Sequence, residues 1–157
     1  MKSRLLLSVA LVITLSFASS TPAQSEAEVK AHYTKTENRV PMRDGVRLFT
    51  TVYTPKDTSR KYAIVLIRTP YTVAPYGAAY RTTLGPSSWF QKEGFIFVYQ
   101  DVRGRWMSEG EFEDVRPYIA NKTGNQTDET TDPYDTVDWL IKNVPNNNGR
   151  VGVWGIS

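Results

Sequence analysis

The chain has 157 residues with no cysteine and one histidine, which excludes a disulfide framework, a thiolate metal site and a cysteine nucleophile. Hydrophobic residues make up 40% and aromatics 12%, the composition of packed globular material rather than a disordered tail. The formal charge is +3, but setting aside Lys2 and Arg4 leaves 17 of the 19 basic residues against 16 acidic ones, with no basic stripe to draw nucleic acid or an anionic membrane surface.

The first 23 residues read as a secretory signal peptide. Lys2 and Arg4 precede an apolar run over 5–17, and small residues follow at Ala18, Ser19, Ser20 and Ala23. That run is about 13 residues, whereas a membrane span needs roughly 20. Cleavage is expected after Ala18 or Ala23, and the absence of cysteine excludes a lipoprotein. The mature chain is expected to be secreted or periplasmic.

Residues 24–37 are polar and read as a loose lead-in to a domain over 38–157. Asp44-Gly45 lies between two strand-like runs, 39–42 and 46–53. Asp-Gly there signals a hairpin in which both turn positions want φ > 0. The apolar, β-branched runs 62–67 and 95–100 predict strands buried on both faces of a sheet. Between them, 87–94 predicts a short helix closed by Gly94. The polar stretch 121–132 predicts a loop. Residues 135–142 predict a helix with Val137, Leu140 and Ile141 on one side, and 146–149 a turn. Residues 151–155 predict a third buried strand. The fold class is therefore α/β: a mostly parallel sheet with a leading antiparallel hairpin.

The sequence ends on Gly155-Ile156-Ser157, the first half of Gly-x-Ser-x-Gly. In that motif a nucleophilic serine stands on a sharp strand-to-helix turn, and glycines leave room for the tight approach. Half a motif is weak alone, but it follows Arg68-Thr69-Pro70-Tyr71, Gln100-Asp101-Val102-Arg103-Gly104, Ser108-Glu109-Gly110-Glu111-Phe112, Asp135-Thr136-Val137-Asp138-Trp139-Leu140 and Asn148-Gly149-Arg150-Val151-Gly152, in that order. This constellation resembles the Xaa-Pro dipeptidyl-peptidase and cocaine-esterase (CocE/NonD) superfamily of α/β-hydrolases over residues 38–157. The stretch 127–132 (Thr-Asp-Glu-Thr-Thr-Asp) is similar to the branch of α-amino acid ester hydrolases and glutaryl-cephalosporin acylases.

The resemblance implies an amino-terminal part of the α/β-hydrolase fold, with Ser157 as nucleophile and Tyr71 as a hydroxyl donor of the oxyanion hole. It implies acyl transfer without metal or organic cofactor. The expected partner is a small ester, amide or Xaa-Pro peptide substrate; nucleic acid is not expected, nor is a membrane once the signal is removed, and the oligomeric state stays open. Asp101 and Arg103 are expected to hold a rim loop through an ion pair and backbone hydrogen bonds. Glu109, Glu111, Glu113 and Asp114 are expected to form a solvated face. His32 precedes the first strand, whereas the triad order is serine, acid, histidine, so it is not the expected base. A chain with the serine and no base is expected to be inactive alone. The rival reading is a secreted, non-catalytic binding domain that keeps the fold and lacks the triad.

Overall fold

The computed structural model describes residues 25–156. The expected signal segment and the expected nucleophile Ser157 lie outside the described residues. The elements in chain order are α1 (Glu26–His32), β1 (Tyr33–Pro41), β2 (Arg47–Pro55), β3 (Tyr62–Thr69), α2 (Ser88–Glu93), β4 (Ile96–Asp101), α3 (Thr131–Asn143) and β5 (Asn147–Val153). They form one five-stranded sheet in the order β1-β2-β4-β3-β5. β1 and β4 run antiparallel to β2, while β4 and β5 run parallel to β3. The leading antiparallel hairpin and the parallel strands of the expected α/β fold are thus both present.

The continuous apolar runs of β3 and β4 follow from burial on both faces. Val65, Ile67, Phe97 and Tyr99 point to one face, where they meet Val29, Tyr33, Phe49, Tyr53, Val73 and Leu84. Ile64, Leu66, Ile96 and Val98 point to the other, where they meet Val52, Leu140 and Val144. The first face is rich in tyrosines whose hydroxyls serve the loops above them. Tyr53 accepts from the Arg81 N–H at 3.2 Å and Tyr99 from the Gly85 N–H at 2.8 Å, while Tyr33 donates to the Gln91 carbonyl at 3.0 Å. Burial pushes the Tyr53 phenol up to about 12, so these hydroxyls stay neutral at ordinary pH.

The structure departs from the sequence reading at several places. From Ser25 onward the expected loose lead-in forms a helix and a strand. Ser25 caps α1 by accepting the Glu28 N–H at 3.2 Å, Val29 is buried, and β1 begins at Tyr33 and pairs as far as Pro41↔Arg47. Its polarity misled because β1 is an edge strand with polar duties. The Lys35 ammonium donates to the carbonyls of Pro75, Gly77 and Ala79, and the Glu37 carboxylate accepts the Gly77 N–H.

The hairpin turn has three residues rather than two. Met42 N–H donates to Val46 O and Gly45 N–H to Met42 O, with Gly45 alone at positive φ (87°). That is a turn followed by a left-handed glycine. Asp44 is there for its carboxylate, which accepts the Val46 N–H at 3.3 Å.

α3 starts four residues earlier than expected, at Thr131, inside the predicted loop. Pro133 is tolerated because it falls in the first turn. The inward row is Asp132, Thr136, Leu140 and Val144, at helical spacing, while Ile141 points outward. Among the described residues strand β5, expected to be buried, pairs with β3 alone and lies at the sheet edge, with Val153 69% exposed.

Candidate active site at the carboxyl rim

β3, β4 and β5 run parallel, so their carboxyl ends share one rim. The register Leu66↔Val153 and a 3.0 Å hydrogen bond from the Trp154 N–H to the Leu66 carbonyl carry the segment after β5 to the end of β3. Ligands of open α/β sheets settle at such carboxyl ends. A cavity of about 250 Å³ opens there, lined by Thr69, Thr72 and Arg81 on one side and by Trp154, Gly155 and Ile156 on the other.

Tyr71 stands beside this cavity rather than in its wall, with its side chain 64% exposed. Its N–H donates to the Thr69 hydroxyl at 3.1 Å, a local turn that sends the chain back over the rim. The Pro70 carbonyl accepts from both Arg105 Nε and Trp106 Nε1, each at 3.0 Å. Tyr71 is thus presented to solvent on a loop whose stem is tied to the turn after β4.

Asp101 is fully buried at the end of β4. Its carboxylate accepts the Val73 N–H at 3.0 Å, the Tyr76 hydroxyl at 2.9 Å and the Met107 N–H at 3.3 Å. Burial pushes its pKa up, and these donors offset only part of that. Sealed by neutral donors, it acts as the knot between two rim loops.

Arg103 does form an ion pair, although its partners are Asp132 and Asp44 and not Asp101. It donates to Asp132 at 2.6 and 3.0 Å and to Asp44 at 2.6 and 3.2 Å. Burial pulls the guanidinium pKa down, but the two carboxylates more than reverse this and hold it above its ordinary value. Arg68 lies 3.8 Å from Asp132 and donates to Gln100 Oε1 at 2.7 Å. The buried Gln100 amide in turn donates to the hydroxyls of Thr50 and Thr136, both at 2.9 Å. Three strands, the hairpin turn and the start of α3 are therefore bound by one polar network on the face below the rim.

Sequence reading missed Asp44, Asp128 and Asp132. Asp128 is buried, accepts from the Ile119 N–H, the Lys122 ammonium and the Thr130 N–H and hydroxyl, and its pKa lies well below the usual carboxylate range on account of those donors. The signal was present in Asp128-Glu129-Thr130, where an aspartate accepts the N–H two residues on in an Asx turn just before α3. Of the acids expected to form a solvated face, Glu111, Glu113 and Asp114 are exposed, while Glu109 is half-buried and pairs with Arg47 at 2.6 Å.

His32 lies at the opposite end of the sheet. It lines a cavity of about 410 Å³ together with Tyr62, the first residue of β3. From Tyr62 to Thr69 a strand rises about 23 Å, far outside proton-transfer reach. That larger cavity holds no serine or other activated nucleophile and lies away from the rim, so size does not make it the site. Among the described residues, no group of three or more His, Asp and Glu is placed to hold a metal ion.

The sequence profile described as X-Pro dipeptidyl-peptidase (S15 family) matches residues 44–157. The chain belongs to this family. The S15 chain is 33% identical over 132 residues to a cocaine esterase of Rhodococcus sp. (strain MB1 Bresler), a match covering 82% of this chain and 20% of that protein. Among solved structures it is similar to an α-amino acid ester hydrolase (33% identity, TM-score 0.68, 92% of this chain and 24% of the other). It is also similar to an aminopeptidase of a marine sediment Thaumarchaeota archaeon (37% identity, TM-score 0.64, 95% and 24%). A CocE/NonD family hydrolase of Staphylococcus aureus, 17% identical with TM-score 0.55 over 77% of this chain and 23% of the other, shares the fold. The chain thus spans about a fifth to a quarter of the relatives it matches.

Proposed function

We propose that the whole protein is an exported serine hydrolase that cleaves ester or amide bonds of small acyl substrates or Xaa-Pro peptides. In this reading Ser157 attacks the carbonyl carbon, and the Tyr71 hydroxyl and a backbone N–H stabilise the tetrahedral oxyanion. Water then releases the acyl group. The observation that carries the reading is the parallel pairing of β3 with β5. It gives the strand that leads to Tyr71 and the strand that leads toward Ser157 a common rim. The names of the relatives, an esterase, an amino acid ester hydrolase and an aminopeptidase, support acyl chemistry at that rim.

A serine needs a base to become nucleophilic. His32 is too distant, so the reading requires an imidazole and an acid from outside these 157 residues, after the nucleophile in chain order. Labelling of the whole protein by a fluorophosphonate probe tests the reading: covalent modification at Ser157, abolished by Ser157→Ala, is expected. Folded protein that takes no label, or a label that survives the substitution, would overturn it. Export rests on Lys2, Arg4 and the apolar run that follows. Sequencing of the mature amino terminus should begin at Ser19 or Gln24, and a retained Met1 would remove this part of the reading.

A further inference from the structure

The loop that carries Tyr71 is gripped on both sides of that residue by a single turn. On the amino side, the Pro70 carbonyl is held by Arg105 Nε and Trp106 Nε1, each at 3.0 Å. On the carboxyl side, the Val73 N–H is held by the Asp101 carboxylate at 3.0 Å, whose second oxygen takes the Tyr76 hydroxyl at 2.9 Å. Residues 101–107 thus reach over the chain and leave only Tyr71 and Thr72 between their two grips. The turn is itself tied down, with Val102 N–H donating to Thr69 O at 3.2 Å and Met107 N–H to Asp101 Oδ2 at 3.3 Å.

Two residues on either side of this contact hold costly backbone. Trp106 sits at φ 49° and Thr72 at φ 146°, conformations that bulky and β-branched residues rarely adopt. Trp106 gains little burial in exchange, since it is 59% exposed, and its indole N–H is spent on Pro70. A tryptophan held at positive φ, with its indole N–H on the carbonyl next to Tyr71, ties down that loop.

We infer that Asp101, Arg105 and Trp106 form a clamp that positions Tyr71, so that its hydroxyl meets the oxyanion without reorganisation. The inference rests on the reading of Tyr71 as an oxyanion donor. A donor of this kind works only within about 2.7–3.1 Å of the developing charge. A phenol at the tip of a long side chain magnifies any shift of its backbone. None of the three clamp residues touches the reacting atoms; they act through Tyr71.

The test is a double-mutant cycle in the whole protein. Trp106→Phe keeps the ring and removes the N–H. It should lower kcat by about tenfold and leave KM and the melting temperature unchanged, as a misplaced but present group does. Asp101→Asn, which keeps shape and can still accept from Val73 but no longer accepts from the Met107 N–H and the Tyr76 hydroxyl, should act in the same direction. In a Tyr71→Phe background neither substitution should reduce kcat further, because there is no hydroxyl left to position. Equal losses in both backgrounds, or no loss from either substitution where Tyr71→Phe alone slows turnover, would overturn the clamp. A Tyr71→Phe variant with wild-type kcat would instead overturn the underlying reading of Tyr71.

Discussion

The guanidinium of Arg103 and the carboxylate of Asp132 meet through two hydrogen bonds, of 2.6 and 3.0 Å, and each side chain is only 7% exposed. Asp44 completes the arrangement from the hairpin turn. Two carboxylates around one guanidinium form a network that is costly to break from one side, because Asp132 stays buried with only the longer 3.8 Å contact to Arg68. Arg103→Met should therefore destabilise the chain by about 3–5 kcal/mol. Urea unfolding followed by circular dichroism measures this, and a loss below about 1 kcal/mol would show that the pairs are solvated.

Acid should weaken the fold through the same kind of pair. Burial pushes the Asp135 carboxyl up, but hydrogen bonds from the Arg43 side chain and N–H more than offset this and lower its pKa. Asp44 is lowered likewise by Arg103 against its burial. A lowered native pKa contributes stability above the unfolded value of about 3.9, and that stability is lost as pH falls through the native value. Asp101 has the opposite sign: its pKa is raised, so its contribution is present below the unfolded value and is lost as pH rises through the native one. The expected result is that Asp135→Asn has a lower urea midpoint than wild type at pH 6, and that the gap narrows as pH falls below the unfolded value of about 3.9. A gap constant with pH would exclude the Arg43 pair as its source.

What the sequence made legible follows from the range over which each signal acts. The strands around Val65 and Val98 announced themselves because burial on both faces makes 62–67 and 95–99 continuous apolar runs. The edge strand β1 did not, because Lys35 and Glu37 face a loop 40 or more residues away and bind it through polar groups. Asp44 and Asp132 were silent for the same reason, since Arg103 lies 59 and 29 residues from them and no local window contains the pair. The rim was legible as motifs: Pro70-Tyr71, Asp101 to Gly104 and Gly155-Ile156 all fall at or just past the ends of strands. The ties between those motifs, from Arg105 and Trp106 to Pro70, needed the fold.

Tyr71→Phe separates a catalytic hydroxyl from a packed ring. The side chain is 64% exposed, and its folding role is carried by backbone bonds that phenylalanine keeps. Melting should be unchanged, while kcat of the whole protein for an ester substrate should fall by roughly 10²–10³-fold, the cost of one oxyanion donor. Wild-type turnover in the variant would take Tyr71 out of the oxyanion hole.

Gly104 and Gly77 share a backbone conformation but not their surroundings, which makes them a matched pair. Their φ angles are 68° and 69°. A Cβ on Gly77 would meet nothing within 4 Å, so Gly77→Ala should lose only the left-handed penalty of about 1–2 kcal/mol. A Cβ on Gly104 would lie 2.1 Å from the backbone nitrogen of Phe112 and 2.4 Å from the Glu111 carbonyl carbon. Backbone cannot swing aside as a side chain does, so segment 111–112 must move away or the turn holding Gly104 must open. That turn is closed by the Gly104 N–H on the Glu109 carbonyl at 2.9 Å, and it carries Arg105 and Trp106. Gly104→Ala should therefore exceed Gly77→Ala in destabilisation by more than about 1 kcal/mol. In the whole protein it should also lower kcat at temperatures where the chain stays folded, because the two donors to Pro70 shift with the turn. Equal stability losses for the two variants would mean that the approach of Gly104 to Phe112 is looser than the geometry states, and that the turn beside Tyr71 has room to relax.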